Sequence, residues 1–500
     1  MFERIFEADK YLAVIDIGSN SVRLVVFSGA KRVPDVVFNE KLMAGLGGAV
    51  GETGKMDRSA MNTAISTLKR FKSLCAQMRV SEVQVVATAA VRDAKNGPHF
   101  VKRINEECGL NIKVIDGAEE ARLAGLGVLS GEPNATGIAG DLGGGSLELA
   151  RIKDGKVFET ISLPIGPLRV MSQFGRNRVM IKKFLQDSFE SIPWLSDCEG
   201  ENLYLVGGAW RNIVKLMMRE RSNPLPILHG YYSSRGEISA YARRLSKLDV
   251  ADIPFSSSLP SRRREVLPTA SVILIELLAA MRAKRAVTSS YGLREGLLFD
   301  ALDSSARKVD PFLYSCHVLA DERCRFPEHA RVIFDWTRPL FQRRSLDPML
   351  RDRLQFAISL LGDIAWRGHP DFRAEKAVEA VLHGNFVGVS HRDRAYVAVA
   401  LNQAYGAPID APHLAPMLPL LKIDDIMESR LMGAALRLAQ RLSGGTVVAL
   451  EVSRLRVTKS TLYLGIPTEY GEIANDVVLR RVRQLAQLIG RKPKIEILQK

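Results

Sequence analysis

Two short stretches decide the fold: VIDIGSNSVRL at residues 14–24 and AGDLGGGSLEL at residues 139–149. Each reads as an apolar strand, an aspartate, a spacer, a glycine, a small polar turn and a second apolar strand. Asp141, Gly143 and Ser146 stand 125 residues after Asp16, Gly18 and Ser21, so three positions repeat at one offset. A hairpin with so tight a turn lets an anion approach its backbone amides, and an aspartate at the strand end is placed to hold a metal ion or its waters. Two copies, each opening a run of alternating strands and helices, predict a duplicated α/β domain with a cleft between the halves.

Outward from the first copy, YLAVID (11–16) and SVRLVVF (21–27) read as strands, and the basic run KRVPDVV begins another. A helix is predicted over about Ser59–Met78, and VQVVATAAV (83–91) reads as a short buried strand ending in a turn. NIKVID (111–116) is a further strand, followed by the helix start GAEEARLAGLGVL. The pattern restarts with TGIAGDL, LELARIKDGKVFETISL and ENLYLVGGAW. From about Asp310 strand signals fade into helices, broken by TVVALEVSRLRV and STLYLGIP before a closing helix VVLRRVRQLAQLIG. The domains expected are therefore 1–132, 133–308 and a mainly helical 309–500 with a short strand pair.

Composition narrows the partners. The 500 residues are 46% hydrophobic and 25% charged, ordinary for a globular chain and unlike a disordered or collagenous one. Lysine plus arginine number 70 against 55 acidic residues, a net charge of +15, which favours an anionic partner. Five scattered cysteines are the pattern of reduced thiols. The longest apolar helix, SVILIELLAAM (271–281), contains Glu276 and is too short to span a bilayer. The N-terminus lacks the features of a secretory signal, so a soluble cytoplasmic protein is expected.

VIDIGSNSVRLVVF, ATAAVRDAKNG, VIDGAEEARLAGLGV, DLGGGSLEL and VGGAWRN, in this order, resemble the exopolyphosphatase/guanosine pentaphosphate phosphohydrolase family of the sugar kinase–Hsp70–actin superfamily. The resemblance implies two RNase H-like (actin/Hsp70-type) domains over residues 11–300, then a helical domain distantly like HD-type phosphohydrolases. It implies removal of a terminal phosphoryl group from inorganic polyphosphate, or of the 5′ γ-phosphate from guanosine pentaphosphate, with Mg2+ or another divalent cation. A homodimer is the family's habit, and no nucleic-acid partner is expected.

Phosphoanhydride hydrolysis needs an in-line water, a base to orient it, and donors around the transferring phosphoryl. By resemblance Glu120 is the catalytic base; Glu119 and Glu120 are adjacent, so on a helix they diverge, and either could simply favour the helix N-terminus. Glu148 resembles the second catalytic carboxylate, which positions the water; the plain alternative is a solvated strand residue. Gly143, Gly144, Gly145 and Ser146 form one phosphate-cradling turn, and Ser19, Asn20 and Ser21 the other. Asp141 is the better metal ligand, and Asp16 could instead cap its hairpin. Arg92 matches a Thr-x-x-x-Arg element with Thr88, where a guanidinium fork meets substrate phosphate. Gly207 and Gly208 resemble nucleotide-side glycines, but equally end a strand. Shifting Glu148 back by the repeat offset lands on Arg23, which then faces the same cleft as a phosphate ligand or stays an exposed arginine.

The chain also departs from the pattern. Better-known members carry an arginine pair before a Met-Gly turn, whereas ISLPIGPLRV places Leu163-Pro164 ahead of Gly166 and its arginine at Arg169. In the helical stretch Asp363 and His369 remain, but Gly362 precedes the aspartate, and no second metal site is expected. Cys316, His317, Cys324 and His329 lack zinc-knuckle spacing and read as a buried reduced cluster. Arg262–Arg264 could line a channel guiding a polyanion, as, less strongly, could Arg480, Arg481 and Arg483. The nearest rival activity is guanosine pentaphosphate hydrolysis. An actin/Hsp70-like nucleotide-binding protein would lack the paired-glutamate loop, and a small-molecule kinase would need an acceptor pocket that nothing here identifies.

Overall fold

A computed structural model of the chain describes residues 10–341 and 347–498. The chain divides into two compact units, Met1–Val309 and Asp310–Lys500.

The first unit holds two sheets built alike. Strands β1 (Leu12–Ile17), β2 (Val22–Phe27), β3 (Val36–Leu42), β4 (Glu82–Ala87) and β5 (Ile112–Val114) lie in the order β3-β2-β1-β4-β5. The first three pair antiparallel, while β1–β4 and β4–β5 are parallel. Strands β6 (Gly137–Leu142), β7 (Leu147–Lys153), β8 (Lys156–Leu163), β9 (Asn202–Val206), β10 (Tyr232–Ser234) and β11 (Arg285–Thr288) give β10-β11-β9-β6-β7-β8. Here too the opening meander is antiparallel and β6–β9 and β9–β11 are parallel. Strand for strand, β6, β7, β8, β9 and β11 repeat β1 to β5, so both sheets have the RNase H-like order and the duplication is real at the level of hydrogen-bonded topology.

Each half has its own core. In the first, helices Arg58–Gln77 and Gly97–Cys108 bury Leu68, Phe71, Phe100 and Ile104 against Ile15, Leu24 and Val85. In the second, Trp210, Ile213 and Met217 of the helix Gly208–Glu220 join Leu274 and Leu277 of Leu267–Ala280 over one face of the sheet. The helix Gly117–Gly131 is apolar nearly all round, as a helix buried on every side must be. It packs between β7–β8 and the helix Leu293–Ala301, and a Cβ on Gly296 would lie 1.9 Å from the Leu123 carbonyl oxygen, so only glycine permits that crossing. This fixes both helix N-termini, with Glu120 on one and Arg294 and Glu295 on the other.

The second unit is helical, its core formed by Pro348–Leu361, His391–Tyr405, Ile423–Ser443 and Asp476–Leu488. Its sheet has three strands rather than a pair: β12 (Arg454–Val457), β13 (Thr461–Pro467) and β14 (Lys492–Leu498), ordered β12-β13-β14. Within TVVALEV, Val448–Val452 is a helical turn burying Ala449 and Leu450, so packing overrides the β-branched preference. Asp363 is clamped by Arg325 through two 2.8 Å hydrogen bonds, while His369 is exposed and opens a short turn. Cys316 is buried, His317 stacks edge-on against Phe356, and His329 Nε2 lies 3.0 Å from Ser443 Oγ.

Candidate active site

The two turns are the same at the level of single hydrogen bonds. Gly18 N–H donates to the Ser21 carbonyl and Gly143 N–H to the Ser146 carbonyl, each at 3.0 Å. Register pairs Asp16 with Arg23 in one hairpin and Asp141 with Glu148 in the other. The turns meet: a Cβ on Gly145 would lie 3.5 Å from Ser19 Oγ, and Ser19, Gly144 and Gly145 line one pocket with Ala89, Ala90, Leu168 and Arg169. A third strip of backbone was not foreseen. Gly45 N–H donates to the Asn20 carbonyl (3.0 Å) and Gly47 N–H to the Ser19 carbonyl (2.7 Å), so the glycine-rich GLGG run at 45–48 braces the first turn. Its one sequence signal was that glycine density.

The adjacent glutamates part as helical geometry requires. Asp116 caps the helix Gly117–Gly131 by accepting the Glu119 N–H, and Glu119 turns outward to Arg122 at 2.7 Å. Glu120 turns inward and accepts a 3.0 Å hydrogen bond from Arg92 Nη1. ATAAV is not strand to its end: β4 stops at Ala87, and Thr88 leads into the helix Ala89–Asp93, whose alanines suit a helical turn and which carries Arg92. Glu148 is 1% exposed and accepts from Ser162 Oγ at 2.8 Å and from the Ser146 hydroxyl. Burial pushes Glu148 up to about 7, against those hydroxyls and with added repulsion from Asp141. Burial, then repulsion from Glu148, holds Glu120 well above the usual carboxylate range despite Arg92. Burial and mutual repulsion thus both favour the protonated form of these two carboxyls.

Asp141 and Asp16 stand within electrostatic reach of each other. Burial raises Asp141 to about 6, opposed by Arg211 and reinforced by Asp16; burial also raises Asp16, opposed by Arg294, Lys41 and Arg23. Gly207 (φ +94°) ends β9 in a conformation that disfavours side chains, and a Cβ there would stand 2.5 Å from the Leu142 carbonyl oxygen and 3.0 Å from Asp141 Oδ1. Gly207 thus admits the strand end that carries Asp141, whereas Gly208 faces open space.

Around these carboxylates lie cations that the motif reading missed: Lys41, Arg211 and Arg294. Arg23 and Lys41 are directly opposite across β2–β3, a like-charge pairing that destabilises a sheet unless an anion compensates. Burial, then Arg263 and Arg23, lowers Lys41 to about 8; burial, then Arg294, lowers Arg23 to about 10. Arg23 Nε donates to Asn39 Oδ1 at 2.9 Å. Arg211 is held by the Gly207 and Ser290 carbonyls, both at 3.0 Å, and Glu295 by the Gly292 N–H at 2.9 Å. Arg263, from the run at 262–264, acts on both Lys41 and Arg211, so that run flanks the cleft. Arg211 lies four residues after Gly207, and Arg294 in GLREG; neither spacing carries a known chemical signature.

No group of three or more His, Cys, Asp or Glu side chains among the described residues could hold a metal by itself. Asp16 and Asp141 alone suit a hard cation that keeps most of its waters and shares substrate oxygens, which is how magnesium binds.

Two RNase H-like halves whose amide-lined turns meet beside paired carboxylates define an actin/Hsp70-like fold. The Ppx/GppA phosphatase family model matches residues 24–305, and that of the exopolyphosphatase C-terminal domain matches residues 312–496. The chain belongs to the Ppx/GppA phosphatase family. It is 26% identical over 309 residues to exopolyphosphatase 1 of Mycobacterium tuberculosis, covering 59% of this chain and 89% of that protein. It is 26% identical over 439 residues to retrograde regulation protein 2 of Saccharomyces cerevisiae, covering 79% and 73%. A solved exopolyphosphatase from Cytophaga hutchinsonii superposes with a TM-score of 0.52 at 23% identity, over 59% of this chain and 99% of that one, a likeness of fold. Among the described residues no helix is long and apolar enough to cross a membrane.

Proposed function

We propose that the chain is an exopolyphosphatase, releasing orthophosphate from the ends of inorganic polyphosphate. The observation that carries this reading is the Glu120–Glu148 pair, buried beside the two amide-lined turns. A water attacks the terminal phosphorus and Glu120 takes its proton, while Glu148, steadied by Ser146 and Ser162, orients that water. The bridging P–O bond breaks, and the shortened chain leaves with the electron pair on its new terminal oxygen. Amides of Gly144–Ser146 and of Ser19–Ser21, with Arg92, receive the charge of the terminal phosphoryl. Asp141 and Asp16 would hold a magnesium ion, which when bound neutralises phosphate charge.

Polyphosphate is favoured over guanosine pentaphosphate by the extent of the cations. Arg23, Lys41, Arg211, Arg294 and Arg263 act on one another around the buried aspartates, a cluster of cations that suits a repeating anion. The test is phosphate release from long-chain polyphosphate, guanosine pentaphosphate and ATP, side by side with magnesium. Turnover of polyphosphate at least ten times more efficient than of the nucleotides is expected; preference for guanosine pentaphosphate reverses the substrate assignment. The same reading places the protein in the cytoplasm as a homodimer, to be checked by cell fractionation and sedimentation.

A further inference from the structure

Arg169 has no role in the proposed mechanism, yet it lines the pocket between the two turns with Ser19, Gly144 and Gly145. Its helix, Pro167–Phe174, is seated on the second turn through the Leu168 N–H, which donates to the Gly144 carbonyl at 3.0 Å. From there Arg169 Nη2 reaches Asp93 Oδ2 at 3.0 Å, and the other oxygen of Asp93 accepts from Arg92 Nε at 3.2 Å. Arg92 in turn binds Glu120. One carboxylate from the first half thus spaces two guanidiniums, one from each half, and the series ends on a catalytic glutamate.

We infer that Arg169 is a second guanidinium ligand for substrate phosphate, and that Asp93 is the positioning residue that holds it beside Arg92. The inference rests on the proposed phosphohydrolase reading and names a residue pair that recognises substrate within it. Three features support it. Only one nitrogen of Arg169 is committed among the described residues, so most of its five N–H donors are left for an anion. Asp93 holds one guanidinium on each of its two oxygens, so an anion between them could accept from both. The Arg169 and Asp93 side chains are 32% and 33% exposed, a setting in which an ion pair alone does little for stability, so a purely structural role predicts almost no effect of removing it.

The experiment compares the full-length protein with R169Q, R169K, D93N and the double variant D93N/R169Q. Steady-state hydrolysis of polyphosphate is measured, together with calorimetric binding of tripolyphosphate in magnesium, and thermal melts check folding. R169Q is expected to raise KM and the tripolyphosphate dissociation constant by about 10- to 100-fold with kcat changed far less, and R169K to recover part of the loss. D93N alone is expected to raise KM several-fold but by less in the R169Q background, because part of its effect runs through Arg169 and the rest through Arg92. The inference is overturned if R169Q binds tripolyphosphate within twofold of wild type, if the two substitutions multiply, or if the wild-type protein does not bind tripolyphosphate. If wild type binds it but hydrolyses no phosphoanhydride, the activity reading fails, and the R169Q binding ratio still decides this inference.

Discussion

Arg92 and Glu120, 28 residues apart in the chain, meet through a 3.0 Å hydrogen bond inside the cleft. The helix Ala89–Asp93 presents one and the N-terminus of Gly117–Gly131 the other, so the carboxylate is oriented by a fixed cation while burial and Glu148 keep it basic. Orientation and basicity come from different neighbours, and they can be removed separately.

Replacing Glu120 by Gln keeps the hydrogen-bonding shape and removes the base. Turnover of polyphosphate is expected to fall by ~10²–10⁴ with an unchanged melting temperature or a higher one. Phosphate-release rates close to wild type in E120Q would remove Glu120 from the mechanism.

Acid should act on Glu148 in two measurable ways. It is held at about 7 in the folded protein, whereas an unfolded glutamate titrates near ~4.3. The folded state therefore binds the extra proton between those values, and stability falls as pH rises from about 4 to about 7. E148Q escapes that loss: at pH 8 it should be more stable than wild type by up to ~3 kcal/mol, with no advantage near pH 4. Urea titrations at the two pH values measure the difference, and a constant gap refutes the assignment. In wild type, kcat/KM should fall as pH drops below neutrality, since burial raises both carboxyls and the base must be deprotonated to act.

Asp141→Asn should raise the magnesium concentration needed for half-maximal activity by about tenfold or more, and Asp16→Asn by less. Asp141 lies in the Gly-rich hairpin with Glu148 opposite, whereas Asp16 has three cations acting against it. Magnesium titrations at saturating polyphosphate provide the comparison; unchanged requirements in both variants exclude these carboxylates as ligands.

Ionic strength should separate long substrates from short ones. With Lys41, Arg23, Arg211 and Arg263 gathered at the cleft, apparent affinity for long polyphosphate should drop more steeply with salt than that for tripolyphosphate. R263Q should flatten the long-chain slope and leave the short-chain slope nearly untouched. Parallel slopes in wild type would argue that only the terminal phosphates are held.

The fold was legible because its determinants are local. Asp16 to Ser21 and Asp141 to Ser146 carry strand, turn and strand within a few residues, and a repeat at one offset is hard to produce otherwise. Glu120, Glu148 and Arg92 sit in the same kind of compact motif. Lys41, Arg211 and Arg294 were missed because they come from β3, a helix first turn and a distant helix start, and only the folded sheets bring them together. β14 was missed for a related reason: Pro493 weakens its strand pattern, and it pairs in parallel with β13 from across the helix Asp476–Leu488, as an edge strand can.

The duplication has a consequence for direction. Equivalent positions in the two hairpins bear a base and an acid, Arg23 in one and Glu148 in the other, so the two walls differ although their sheets repeat one topology. Linear polyphosphate reads identically from either end and cannot itself specify which way it enters. Under the proposed activity, polarity would then come from the cleft: the difference of one residue type between the two hairpins would set the end at which a chain is cut.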